Sequence, residues 1–314
     1  FRALQRLYDS WENEPTPARL AFGRGLAMVA EHTWGVDIKT YLRDETAWDR
    51  DDFEAARTSD YRFAYAEASW AEQRAYIDAA LGELDATDRE AAQQVEAELA
   101  IPALSEPVAG DRLGDGGWVA KLDPRTGDIA ELVSPDGRVL AGREGSLLGY
   151  RHESHDWASL QTHLDTYLQH RLEWAVLDHD KPGLATAKTA CTASFAPVLD
   201  GVAGGNVSVA HLPADAQAQL GAPARCEIGL RAIDGRRVEI TLTLRGKPAN
   251  RMPEAGFLSL TPAEDSRWQL RKLGLWHDSA SIVTRGGGQL QGVEAVRAEA
   301  GAGGFGFTLL DAAL

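Results

Sequence analysis

The feature that most constrains the chain is a change of hydrophobic period. Up to about residue 100, apolar residues recur every three or four positions; after Pro107 they alternate with polar ones at a period of two. A helical stripe and a pleated strand bury different sets of residues, so the two stretches cannot build the same kind of element. The expected fold class is α+β and multidomain, with an N-terminal helical bundle over 1–106 and a large antiparallel β-sandwich over 107–314.

In the first stretch Thr16-Pro17 predicts an N-cap followed by proline at the first helical position, and Leu20, Leu26 and Val29 keep one face as far as His32. Ile38 and Leu42 mark a short second piece. A long helix is expected from Asp51-Asp52 through Phe63, Ala66, Trp70, Ile77, Leu81 and Leu84, and Thr87-Asp88-Arg89-Glu90 reads as a capping box for another. In the second stretch short β-like runs at 118–122, 129–133 and 138–141 are divided by turn clusters. Val238, Ile240, Leu242 and Leu244 alternate with Glu239, Thr241, Thr243 and Arg245, and Asp234-Gly235 predicts the hairpin before them. Further strands are expected at 189–199, 206–211, 257–260, 268–273, 281–284 and 305–310, with one helix at 157–171.

A formal charge of −15 opposes phosphate backbones and anionic lipid surfaces, so neither nucleic acid nor membrane is an expected partner. Cys191 and Cys226 allow one bridge at most and leave the redox compartment open. Phe1, Leu4 and Leu7 stand at helical spacing without a start methionine or a cap, which predicts a C-terminal part of a longer protein and leaves localisation undefined.

The stretch Met28–Asp37 brings one histidine, His32, beside Trp34 at the end of an apolar helix that stops at Gly35, the geometry of a ligand presented at a rim, or of a core histidine under a tryptophan. Gly301-Ala302-Gly303-Gly304-Phe305-Gly306 has dinucleotide-loop spacing without the strand and helix that such a loop needs, and is read as a connection between strands. His152-Glu153-Ser154-His155-Asp156 lacks metalloprotease spacing and is read as a solvated loop before a helix capped by Asp156. The segments 174–183 and 247–255 each pack charge, aromatic or apolar, and turn residues together. They are shaped loops, held by internal ion pairs or contacting a substrate.

Glu31-His32-Thr33-Trp34-Gly35, Ser69-Trp70-Ala71-Glu72-Gln73-Arg74, and the segments 174–183 and 247–255 together resemble the C-terminal two-thirds of the uncharacterised family 5054 of domains of unknown function. That family resembles the α-mannosidases of glycoside hydrolase family 38. The resemblance implies a preceding β/α barrel with the catalytic nucleophile and most zinc ligands, then a helical bundle and a galactose-mutarotase-like β-sandwich. It makes His32 a zinc ligand, with zinc bound only in the full-length protein. Thr33 stands where the mannosidases have a sugar-binding Asp, and Asp37 lies near enough in sequence for a related role. Thr33, Trp34, Asp37, Lys247, Arg251 and Glu254 form the implied substrate-binding set. The implied function is the C-terminal part of a zinc-dependent retaining glycoside hydrolase acting on an α-mannoside-like carbohydrate, inactive on its own; the alternative is a non-catalytic carbohydrate-binding or scaffolding protein of the same architecture.

Overall fold

The computed structural model describes residues 1–314 except 31–33, 102, 104–105, 169, 171, 174–179, 264–266, 282–291, 300–303 and 312–314, with the backbone alone at 167 and 280. His32, Thr33, Trp174 to His179, most of the 281–284 run and the start of the glycine-rich 301–306 segment therefore lie outside the described residues.

The chain is α+β. Six α-helices come first: α1 Arg2–Ser10, α2 Pro17–Val29, α3 Ile38–Tyr41, α4 Arg50–Ser59, α5 Tyr61–Gly82 and α6 Ala86–Glu98. The Thr16 hydroxyl accepts from the Arg19 amide at 3.1 Å, as a threonine N-cap before proline should. Two helical expectations need correction. The long helix expected from Asp51 breaks at Asp60, whose extended backbone ends α4 and whose carboxylate accepts the Arg62 amide at 2.9 Å, so one acidic side chain both stops a helix and starts the next. The cap of α6 is Asp85, which accepts the Asp88 amide at 3.0 Å, rather than Thr87.

From Arg112 the described elements are mostly strands, and every named pairing is antiparallel. They are β1 Arg112–Asp115, β2 Trp118–Leu122, β3 Ile129–Val133, β4 Val139–Ala141, β5 Leu148–Ser154, β6 Ala193–Phe195, β7 Val198–Ala203, β8 Val207–His211, β9 Arg225–Ala232, β10 Val238–Arg245, β11 Glu254–Leu260, β12 Arg267–Lys272, β13 Leu275–Asp278, β14 Ala295–Glu299 and β15 Phe305–Thr308. Helices α7 Trp157–Tyr167 and α8 Ala214–Leu220 interrupt them. The Asp156 carboxylate caps α7 by accepting the Ser159 amide at 2.8 Å.

The chain forms two compact units interleaved along the sequence, and one of the breaks between them falls at 100/101, close to the change of hydrophobic period. One unit comprises 1–34, 70–100 and 264–314. Its helices meet around Leu4, Phe22, Leu26, Ala80, Leu84 and Ala92. Arg19 clamps Asp88 with two bonds of 2.7 and 2.8 Å, and this guanidinium holds the carboxyl below its ordinary range. A sheet in the order β13-β12-β14-β15 belongs to the same unit.

The other unit comprises 35–69 and 101–263. It contains a seven-stranded sheet in the order β1-β2-β3-β5-β11, with β4 on β3 and β6 on β5, and a four-stranded sheet in the order β10-β9-β8-β7. One core takes Leu113, Trp118, Ala120, Leu122, Ile129 and Tyr150 from the first sheet and Val202, Cys226, Ile228 and Leu230 from the second. The 152–156 segment is not a solvated loop. His152 and Ser154 belong to β5, where Leu148, Tyr150, His152 and Ser154 all point inward and are buried.

Phe22 has no exposed surface and packs against Tyr8 and Trp11 at centroid distances of 6.2 and 6.1 Å. Phe22→Ala is expected to destabilise the helical core by about 3–5 kcal/mol, read from urea unfolding followed by far-UV circular dichroism.

Candidate functional site

Three loops of the second unit meet around one guanidinium. Arg251 lies in the connection from β10 to β11, and its side chain is only 15% exposed. It ion-pairs with the Asp44 carboxylate, donates to the Asp44 carbonyl at 2.7 Å and to the Ala47 carbonyl at 3.1 Å, and stacks 4.2 Å from the centre of the Trp48 ring. The Phe63 ring lies on it at 5.5 Å. Burial lowers the guanidinium's affinity for its proton, while Asp44 opposes that shift. Burial likewise acts to raise the Asp44 carboxyl, but the Ala47 amide, Arg251 and the Thr46 amide outweigh it and hold the group below the usual carboxylate range.

The third loop enters through its backbone. Trp48 Nε1 donates to the Pro182 carbonyl at 3.0 Å, and a Cβ on Gly183, whose φ is +84°, would fall 1.6 Å from the Glu45 carbonyl oxygen. Glycine is the residue this approach admits. The Asp49 carboxylate accepts the Lys188 amide at 3.0 Å, the Thr189 amide at 2.8 Å and the Thr189 hydroxyl at 2.6 Å. Burial pushes this carboxyl up, and those donors more than reverse the shift. Trp48, Leu184 and Met252 form a small apolar core beneath, with Trp157 and Leu160 against it.

Beside this hub Lys247 and Glu254 join at 2.5 Å. The second Glu254 oxygen lies 3.5 Å from His152 Nε2 and is buried, without a hydrogen-bond partner among the described residues. His152 is 1% exposed and donates from Nε2 to the Leu220 carbonyl at 3.1 Å, which also accepts from Asn250 Nδ2 at 3.1 Å. Deeper in the unit, burial raises the Asp128 carboxyl, and it raises the Cys226 thiol to about 12, with the Asp128 and Glu227 charges adding to it. Cys226 is thereby excluded as a thiolate nucleophile near neutral pH.

Of the implied site residues, His32 and Thr33 lie outside the described residues. Trp34 belongs to the first unit, is 42% exposed and has the Arg74 guanidinium 6.0 Å from its ring centre. Asp37 is the N-cap of α3, accepting the Lys39 amide at 3.2 Å and the Thr40 hydroxyl at 2.6 Å. Lys247, Arg251 and Glu254 all come from one loop and its margin, with Arg251 turned to the hub and the other two paired together. Asp180 accepts its neighbour's amide, from Lys181, at 2.8 Å. Among the described residues no three His, Cys, Asp or Glu side chains group as a metal-ligand set.

The sequence reading has no place for Asp44, Trp48 and Asp49, and it sets His152 in a solvated loop instead of a buried strand. Asp49 had a legible signal, an acidic residue directly before a helix, but its partners lie 139 and 140 residues on. The structure ties the motifs in at two places. The Ser69 hydroxyl accepts the Val36 amide at 3.0 Å, and Pro182-Gly183 and Arg251-Met252 close on the same 44–49 segment.

The family model described as "Domain of unknown function (DUF5054)" matches residues 1–240, and the chain belongs to that family. No match to the chain is found among the curated proteins.

Gly183→Ala is expected to destabilise the second unit by about 3 kcal/mol or more, because the left-handed backbone and the Glu45 carbonyl both oppose a methyl group. The ionised Asp49 is the form that the folded loop holds. Its contribution is complete above about pH 4 and is lost as pH falls through its lower folded value. Asp49→Asn is therefore expected to flatten the acid limb of the stability curve, measured as unfolding free energy from about pH 5 to pH 2.

Proposed function

With membership of this family as the premise, we propose that the chain is the C-terminal part of a zinc-dependent retaining glycoside hydrolase acting on an α-mannoside-like carbohydrate. The observation that carries the reading is how the separated motifs are tied in: Val36, next to the first motif, bonds Ser69 of the second, and both late loops close on the same 44–49 segment. Four motifs in the order of family 5054, which resembles the mannosidases, on an α+β chain that runs from helices to antiparallel sheets, support it further. In this reading the early helices correspond to the helical bundle, and the two sheets sharing a core correspond to a galactose-mutarotase-like sandwich.

The carboxylate pair that a retaining displacement requires would come from a preceding β/α barrel, the partner of this part within the same protein. His32 would supply one imidazole to the metal. In this reading the other ligands would come from that barrel, as the family resemblance implies. Zinc, when bound, would hold sugar hydroxyls and favour ring distortion. Trp34, exposed with Arg74 near its ring, offers an apolar surface to a sugar face, and Thr33 and Asp37 would supply polar contacts. Arg251, bonded to Asp44 and Ala47, would act by holding the loops, while Lys247 and Glu254 lie beside it at a wetter margin.

A second reading rests on a specific observation. Asp37, Arg251 and Lys247–Glu254 are each bonded within the chain, as expected of a scaffold that kept the architecture without the chemistry. The two readings separate in the full-length protein, assayed for zinc content and for hydrolysis of an aryl α-mannoside. The glycosidase reading expects stoichiometric zinc, turnover, and loss of both in His32→Ala with an unchanged melting temperature. Full zinc content in His32→Ala would remove His32 from the metal site, and a zinc-free, inactive wild type would favour the scaffold. The 314-residue chain alone is expected to give no turnover.

A further inference from the structure

We propose that the free edge of β10 is a self-recognition surface through which two copies of this chain pair across a two-fold axis, joining their four-stranded sheets into one. The two edges of that sheet are treated differently. At the β7 edge the register shifts between Leu199 and Gly201, and Val108 bridges Val202 by bonds of 3.0 and 2.8 Å, so the edge is both bulged and covered. At the other edge β10 runs for eight residues, Val-Glu-Ile-Thr-Leu-Thr-Leu-Arg, in unbroken register with β9 and without proline, lysine, glycine or bulge. Among the described residues no strand pairs with its outer side. Exposed strands that resist pairing usually carry such devices, and the only charges on this one, Glu239 and Arg245, stand near its two ends.

The backbone sets which groups are offered. The Leu230 amide bonds the Asn206 carbonyl on the β8 side, so in β9 the odd-numbered residues turn to β10, and their odd-numbered partners, Glu239 to Arg245, turn back to β9. The amides and carbonyls of Ile240, Leu242 and Leu244 therefore point to the open edge. A two-fold axis through Leu242 places it against the partner's Leu242, and Ile240 against the partner's Leu244, each pair exchanging both N–H···O bonds.

The side chains select this register. It sets Glu239 opposite the partner's Arg245 and Thr241 opposite the partner's Thr243. Within one copy Glu239 already bonds Arg231 and Arg245 already bonds Glu227, both at 2.6 Å, so the outer face would carry a row alternating in sign across the axis. Sliding by two residues opposes Glu239 to Thr243, or Arg245 to Thr241, and the charge match is lost. On the inner face Val238, Ile240, Leu242 and Leu244 pack on the core but are only partly buried, and pairing would cover what they still expose. The same patch meets itself, as an isologous interface requires.

Sedimentation velocity on the full chain over roughly 1–100 µM tests this, with a monomer–dimer equilibrium expected in that range. Thr241→Lys with Thr243→Lys sets like charges opposite each other twice and is expected to weaken the dimer by about tenfold, whereas Thr241→Lys with Thr243→Glu sets opposite charges together and should restore it. Amide exchange gives a readout on the unaltered protein: Ile240, Leu242 and Leu244 should lose protection on dilution, and Thr241 and Thr243 should not. A wild type that stays monomeric throughout, a dimer indifferent to the paired lysines, or concentration-independent protection of Leu242 would each overturn the proposal.

Discussion

A guanidinium buried beside a tryptophan has to be surrounded by acceptors, and that requirement organises the loop region of the larger unit. Arg251 is taken from water by Trp48 and Phe63, so each of its donors that lacks a partner would carry a desolvation cost. The Asp44 carboxylate and the carbonyls of Asp44 and Ala47 meet it, which fixes the path of the chain from 44 to 47 against the connection between β10 and β11. From that path Trp48 and Asp49 bond to the 182–189 stretch.

These loops have little ladder hydrogen bonding of their own, and side chains take over the role that secondary structure plays elsewhere. Asp49 receives two consecutive amides and a hydroxyl, and the Trp48 indole supplies the donor for the Pro182 carbonyl. Trp48, Leu184 and Met252 then bury apolar surface under the polar layer. The three loops are cross-linked to one another, and a fixed geometry is what a catalytic or binding constellation demands of the elements that carry it. In the proposed hydrolase these links would hold the loops around a sugar; in the scaffold reading they would be the end in themselves.

The change of period, the proline-led start of α2, the Asp156 cap and the alternation of β10 were all legible because each depends on neighbours in sequence. β5 was not, because half of its inward face is polar: His152 and Ser154 are buried only because Leu220 and Cys191 offer carbonyls far along the chain. The break at Asp60 was hidden by an apolar stripe that runs on through it, and only the carboxylate's bond to the Arg62 amide reveals the stop. The 247–255 segment announced an ion-pair loop, but the partner of Arg251 stands 207 residues away, beyond any local signal. Membership of the family was visible in the motif pattern at residue level. Which motifs touch was not.

A double-mutant cycle on Arg251 and Asp44 tests the organising role of the guanidinium most directly, with unfolding free energies measured for Arg251→Met, Asp44→Asn and the pair. Because each single change leaves a buried polar group without its partner, each is expected to cost about 3 kcal/mol or more, and the double change little beyond the larger single one, a coupling of about 2–3 kcal/mol. Single costs that simply add, with coupling below about 0.5 kcal/mol, would mean that the loops hold together without this pair.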